Sequence, residues 1–310
     1  MNGVKKRKVR IKWKNLFLLL IFISIFTFGI TEIVICVKKV LASPKEKEVE
    51  VKIEKKQIPK ETTKEEKLKQ LNNINDKIDY FNEEYLDRYI AYKNKNKNLK
   101  IEQIIKDVNM NLDLEKYEDT IKAKNLNTEK VLVNKYYYLD EDYVPDNLEN
   151  ISNQYALNGM SLVHVAREEF EHLAKDAKKE NLNIVAMSSY RSYDYQVNLY
   201  NKYVKSDGKE AADTYSGRAG HSEHQTGLAV DVYNKKENYT NFEKTKEFEW
   251  MQKHAHEYGF ILRFPKDKVN ETGYMYESWH YRYVGVDAAK YIKENNISFE
   301  EYYATKIKDW

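Results

Sequence analysis

The sequence predicts an α+β fold, a small and largely antiparallel sheet packed with helices, carried behind one transmembrane helix and a charged stalk. Three observations predict it. Beyond about residue 130, apolar runs and helical stripes alternate with turn residues in an irregular order, as a compact mixed domain requires. Near the N-terminus, an apolar run of membrane-spanning length follows a basic head. Between the two lies a stretch dense in Lys and Glu and poor in large apolar groups, which cannot bury enough surface to fold alone.

Residues 1–14, MNGVKKRKVRIKWK, hold seven Lys/Arg and no acid. Leu16 to Ile30 then carries no charge, Glu32 interrupts, and Ile33 to Val37 is apolar again, close to the ~20 residues that cross a bilayer. Only Lys38 and Lys39 follow directly, so the charge asymmetry places the N-terminus in the cytoplasm and the remainder outside the cell membrane. The length of the run and Glu32 favour a permanent single-pass anchor over residues 15–37. A signal peptide cut after Val40, Leu41 and Ala42 is the alternative. Cys36 is the single cysteine, so no intramolecular disulfide forms, and its place in the apolar segment makes it membrane-embedded and inert.

Residues 38–77 read as a stalk or linker, and residues 78–130 as a helical accessory segment with YLDRYIAY and IEQIIKDVNMNL as its helices. Residues 131–310 form the principal domain. There, Leu162, Ala166, Phe170, Leu173 and Ala177 recur at helical spacing, giving an amphipathic helix over 161–179. NIVAMSS is a short buried strand. DYQVNLYNKYV is a helix with Val197, Tyr200 and Val204 inward, stopped by Gly208. GLAVDVYN is a strand. Phe248, Met251, Ala255 and Tyr258 form a second helical stripe ended by Gly259. FILRFP and ESWHYRYVG are strands, and Ser298 with Glu301 is a capping box that opens the last helix.

The formal net charge is +3, but with the seven bases of the head set aside the chain is net acidic. A nucleic-acid partner therefore has no electrostatic support.

Of the seven histidines, His164 projects away from the Leu162 stripe and His172 sits on its flank. His254 and His256 are two apart on a helix and diverge. All four read as surface residues. No HExxH occurs, which excludes the helical zinc-protease arrangement. The stretch AGHSEHQTGLAVDV, residues 219–232, is different. In its strand, Leu228, Val230 and Val232 share one face, while Ala229, Asp231 and Tyr233 share the other. An acid between two valines is costly to bury unless paired or metal-bound. The turn at Gly227 can fold His224 back beside Asp231. That pair is either a shared hydrogen bond or two ligands of zinc, and the spacing leaves both open. His280, with Glu277 close by, is the candidate third ligand, which would leave a fourth tetrahedral position for water. Residues three apart fall on opposite faces of a straight strand. Glu277 and His280 face one metal only if the chain bends or begins its strand between them, so an irregular segment is expected at Glu277–Ser278.

Four motifs in order, SSYRSYDYQ, GHSEHQTGLAVDV, YGFILRFP and YESWHYRYVG, resemble those of the VanY-type D-alanyl-D-alanine carboxypeptidases. These are zinc peptidases that share a fold with the Hedgehog signalling domain. The resemblance covers roughly residues 130–300, with weaker likeness back to about residue 78. Ala219 and Ser278 stand where much of the family has proline.

The resemblance implies a Hedgehog/D-Ala-D-Ala peptidase-like fold and one zinc ion per chain, held by His224, Asp231 and His280. It implies Glu277 as the general base for a water activated at the metal. It implies Arg191 as the residue that holds the substrate's terminal carboxylate or steadies developing negative charge. Gln196 and Ser222 match residues that seat the C-terminal residue, and His221 matches no ligand position. These residue types suit the chemistry. Zinc lowers the pKa of bound water toward ~7, a neighbouring carboxylate moves the proton, and the arginine fork binds a free carboxylate bidentately. The implied activity is removal of the terminal D-Ala from peptidoglycan stem peptides by a membrane-anchored enzyme. The alternatives are an L,D-carboxypeptidase that trims tetrapeptide stems, and a non-catalytic wall-binding module that keeps the fold.

Overall fold

In the computed structural model, which describes residues 63–72 and 77–308, the described part opens with the helices α1 (Lys64–Gln70), α2 (Leu86–Lys95) and α3 (Ile101–Asn109). Ile101, Ile104, Ile105 and Val108 lie at helical spacing in α3, and the last three are buried with Leu71, Leu86 and Tyr89 in a small core. Arg88 of α2 fastens the turn after α3, with Nη2 donating to Asp113 Oδ1 at 2.6 Å and to the Val108 carbonyl at 3.0 Å. Among the described residues no helix is long and apolar enough to cross a membrane. The basic head, the apolar run Leu16–Val37 expected to span one, and most of the expected stalk lie outside the described residues.

Short pairings follow. β1 (Ile121–Lys122) pairs in parallel with β2 (Tyr137–Tyr138), and β3 (Leu148–Asn150) pairs antiparallel with β4 (Ser161–Val163). β4 runs directly into α4 (His164–Lys179). The helix expected over 161–179 thus starts three residues later. Leu162 stands opposite Glu149, and the Val163 amide donates to the Gly227 carbonyl at 2.9 Å, so strand pairing claims the backbone there. Within α4 the stripe behaves as its spacing requires: Ala166, Phe170, Leu173 and Ala177 are buried.

The remaining elements are β5 (Val185–Ser188), α5 (Tyr193–Asp207), α6 (Lys209–Tyr215), β6 (Ala229–Tyr233), α7 (Lys246–His254), β7 (Phe260–Leu262), α8 (Val269–Thr272), β8 (His280–Tyr283), α9 (Val286–Asn295) and α10 (Phe299–Tyr302). The strands form one sheet in the order β5-β6-β8-β7, antiparallel at every neighbour. Val230 and Val232 of β6 join Phe170, Leu173, Ala186, Phe260 and Tyr281 in the main core. Each such Val, Leu or Phe side chain contributes about 1.5–3 kcal/mol by leaving water. The stripe over 248–258 is α7 continued by a 3-10 turn, with Met251 and Ala255 buried and Gly259 ending it. Ser298 caps α10 as expected, its Oγ accepting from the Glu301 amide at 3.0 Å.

One expectation needs correction. Val197, Tyr200 and Val204 of α5 are only half-buried, and the buried residue of that helix is Gln196. The helix walls a cleft, so its inward face meets polar groups in place of the apolar core.

Candidate metal centre

Sheet register assembles the site. In the β6–β8 ladder Asp231 stands directly opposite His280, and in the β5–β6 ladder Ser188 stands opposite Asp231 after a register shift at Ala186/Ser188. Val230 and Val232 point into the core, so period-2 alternation turns Asp231 to the other face. His224 arrives from a 3-10 turn, Glu223–Thr226, that ends at Gly227 in the left-handed region at φ 68°. A Cβ at Gly227 would meet the Leu148 side chain at 2.9 Å and that of Val163 at 3.0 Å, so both conformation and space ask for glycine. The turn returns His224 over β6, as the sequence suggested.

Glu277 precedes its strand. Its amide donates to the Phe264 carbonyl at 3.1 Å, a turn covers Ser278 and Trp279, and β8 begins at His280. The irregular segment expected at Glu277–Ser278 is present, and it lets Glu277 and His280 face the same point.

The ligand atoms of His224, Asp231 and His280 lie within 4.8 Å of one another, and all three residues are buried. Asp231 Oδ2 is 3.3 Å from His224 Nε2, and Oδ1 is 3.0 Å from His280 Nδ1. The far nitrogen of His224, Nδ1, sits 2.7 Å from the Ser189 carbonyl, which can only accept, so the proton belongs on Nδ1 and Nε2 is left as the ligand atom. The two imidazole rings stand 5.0 Å apart at 89°, and Phe264 backs His280 with ring centroids 4.8 Å apart. Two imidazoles and a carboxylate, two of them on adjacent strands and one on the turn before β6, suit a zinc-type cation.

Glu277 Oε2 lies 3.7 Å from His280 Nδ1, and the Glu277 carboxyl makes no hydrogen bond to any described residue. Burial, with the neighbouring Asp231 charge adding, pushes the Glu277 carboxyl up to about 8, against the opposing pull of His280 and Arg191. Burial and the Arg191 charge hold His224 down at about 4. For His280, burial opposes the charge, but the Asp231 and Glu223 carboxylates outweigh it and raise the imidazole to about 9. For Asp231, burial favours protonation, yet His224 and Arg191 keep it well below the usual carboxylate range.

A cleft of about 510 Å3 opens over this group, and all seven residues singled out from the sequence line it: Arg191, Gln196, Ser222, His224, Asp231, Glu277 and His280. Arg191 is more committed than its motif suggested. Its Nη2 donates to Asp231 Oδ2 at 2.6 Å and to Ser188 Oγ at 2.7 Å. Gln196 Nε2 donates to the Gly217 carbonyl at 2.7 Å, which leaves its buried Oε1 without a hydrogen-bond partner. His221 is neither ligand nor surface group. It is half-buried, its Nδ1 is 2.8 Å from the Asn134 carbonyl, and Tyr117 packs edge-on against its ring at 5.0 Å.

Sequence reasoning missed Glu223, which is buried beside His224 and accepts from Arg263 and Arg282. The available signal was the placement of those arginines in apolar strand runs, FILRF and HYRYV, the same anomaly that drew attention to Asp231.

Comparison with known proteins agrees with this geometry. The sequence profile of VanY, D-alanyl-D-alanine carboxypeptidase, matches residues 159–286. The Bacillus subtilis (strain 168) protein YodJ is 36% identical over 203 residues, spanning 63% of this chain and 74% of that one. Among solved structures, the LdcB LD-carboxypeptidase is 35% identical with a TM-score of 0.57, over 62% of this chain and 93% of that one. VanYB in complex with D-alanine-D-alanine is 30% identical with a TM-score of 0.51, over 57% of this chain and 98% of that one. The chain belongs to the VanY D-alanyl-D-alanine carboxypeptidase family.

Proposed function

We propose that this chain is a zinc carboxypeptidase that hydrolyses the terminal D-Ala from peptidoglycan stem peptides. The observation that carries the reading is the convergence of His224, Asp231 and His280 within 4.8 Å at the floor of a cleft that also holds Glu277. These three residues would hold one zinc ion per chain, and three protein ligands are the set that catalytic zinc uses. When bound, zinc polarises a carbonyl oxygen and lowers the pKa of water toward ~7. Glu277 is the general base. Its carboxyl lines the cleft beside the three ligands and makes no hydrogen bond to any described residue, so in its ionised form, which a bound cation would favour, it can take a proton from water and return it to the leaving amine.

Arg191 orients the substrate. Its guanidinium is held through Nε and Nη2 by Ser188 and Asp231 on one side of the cleft, which leaves Nη1 to donate to a chain-terminal carboxylate. Gln196, its amide held to the Gly217 carbonyl, and Ser222 add buried polar groups to the same wall.

We place this domain outside the cell membrane. The support is in the sequence: seven basic residues precede an uncharged run of membrane-spanning length, and a Lys/Glu-rich linker separates it from residue 78 onward. That order of head, anchor, stalk, helical segment and catalytic domain suits a substrate at the boundary of membrane and wall.

The L,D alternative is favoured by one observation, the likeness to the LdcB LD-carboxypeptidase at a TM-score of 0.57. Muropeptides ending in D-Ala-D-Ala or in a single D-Ala, incubated with the chain and read by mass spectrometry, separate the two. Loss of one alanine from the pentapeptide alone supports the D,D activity. Loss from the tetrapeptide alone moves it to L,D, and release from neither leaves a wall-binding module. Glu277→Gln is expected to retain one zinc per chain while turnover falls by about 10²–10⁴-fold. Full turnover in that variant would remove Glu277 from the chemistry.

A further inference from the structure

Glu223 takes no part in the chemistry described so far, yet its carboxylate is aimed at the site. Oε1 accepts from Arg263 Nε and from Arg282 Nη1, each at 2.9 Å. Arg263 is itself fixed by Glu300, through Nη2 to Oε1 at 2.6 Å and Nη1 to Oε2 at 2.8 Å. Oε2 of Glu223 is buried and has no hydrogen-bond partner among the described residues. Facing it at 3.7 Å is His280 Nε2, which is also buried and also without a hydrogen-bond partner. The other nitrogen of that ring, Nδ1, faces the cleft, 3.0 Å from Asp231 Oδ1 and 3.7 Å from Glu277 Oε2.

A neutral imidazole presents one bare nitrogen and one N–H. A metal at the cleft needs the bare nitrogen on the Nδ1 side, so the remaining proton sits on Nε2 and needs an acceptor. His224 solves the same problem with the Ser189 carbonyl at 2.7 Å. Resting on the zinc reading above, we propose that Glu223 is a positioning residue: in the zinc-loaded chain its Oε2 closes the 3.7 Å gap to accept the Nε2–H of His280 and so fixes Nδ1 as the ligand nitrogen. The buried Arg263–Glu300 and Arg282 contacts hold Glu223 in place, which ties the frame of the domain to the tautomer of one ligand. Outer partners of metal-bound histidines act in this way, and losing one weakens metal binding by about 10–100-fold.

The test uses the full chain and zinc alone. Glu223→Gln keeps the shape but can turn an amide N–H toward His280 Nε2, which opposes the required tautomer. Competition with a chromophoric chelator is expected to show zinc held about 10–100-fold more weakly in the variant than in the parent chain. In the zinc-loaded parent, nitrogen-15 NMR of the imidazoles is expected to show His280 protonated on Nε2 and metal-shifted on Nδ1. Equal zinc affinity in the folded Gln variant overturns the proposal, and so does a proton on Nδ1 in the loaded parent. The NMR measurement needs no variant, so it decides the matter even where Glu223→Gln fails to fold. A parent chain that binds no zinc sinks the zinc reading itself, whereas a parent with one zinc and the wrong tautomer sinks only the role of Glu223.

Discussion

Two buried clusters of charge lie back to back in this domain, and they are finished in opposite ways. In the first, Arg263, Arg282, Glu223 and Glu300 bring two positive and two negative groups together with almost no exposure. Arg263 spends its fork on Glu223 and Glu300, and Arg282 donates to Glu223 and to the carbonyls of Val131, Glu129 and Tyr283. In the second, Asp231 is shared among His224, His280 and Arg191, while among the described residues the Glu277 carboxyl has no hydrogen bond and Gln196 Oε1 has no partner. The first cluster is closed except at Glu223 Oε2, and it holds elements together. The second is left open, and open valences in a buried place are what a metal ion and a substrate can complete.

The sharpest way to break this comparison is to open the closed cluster. Arg263→Ala leaves Glu223 and Glu300 buried without their main counter-charge. Removing one partner of a buried pair costs about 3–5 kcal/mol, a large share of the ~5–15 kcal/mol of a typical domain. Urea unfolding of the zinc-free protein should register that loss. A loss below about 1 kcal/mol would mean that the cluster is dispensable and that the two regions do not differ as described.

The second prediction runs the other way, because the open cluster is held at the expense of stability. Glu277 is raised to about 8 from an ordinary carboxyl value of 4.5. A carboxyl with a raised folded pKa contributes stability that is fully present below the unfolded value and is lost as pH rises through the folded one. In zinc-free protein, Glu277→Gln should therefore match the parent near pH 4.5 and become more stable than it by pH 8, by on the order of a few kcal/mol. Thermal melts across that window check it. Parallel curves for the two proteins would show that Glu277 is not forced to stay neutral when the metal is away.

Much of this was legible in the sequence, and the reasons are local. Period-2 alternation turned Asp231 away from Val230 and Val232, and the sheet register then delivered it to His280. The three-residue spacing of Glu277 and His280 required a break, and the strand begins at His280. Helical stripes found α4 and α7 because both face the apolar core. The same reasoning misjudged α5, whose inner face borders the cleft and buries Gln196. Glu223 itself carried no pattern, because it sits in a turn without periodicity, and the two arginines that signal a buried acid lie 40 and 59 residues away. Local pattern reports which face a residue takes; it does not report which distant charge waits there.

The mildest prediction tests how firmly the closed cluster is delivered to its place. Ser298 is buried and caps α10, with its Oγ accepting the Glu301 amide at 3.0 Å. Glu300, two residues later, is the carboxylate that grips Arg263. Ser298→Ala removes one cap bond, which costs about 1 kcal/mol of stability. Glu300 remains tied by two bonds to Arg263 and by one from Asn134 Nδ2 at 3.1 Å, so its position does not depend on the cap. Zinc affinity and turnover should stay at parent values while the unfolding midpoint falls slightly. A drop in zinc affinity with this variant would show that the cluster transmits small movements of α10 to His280, and that the closed region is looser than its bonding suggests.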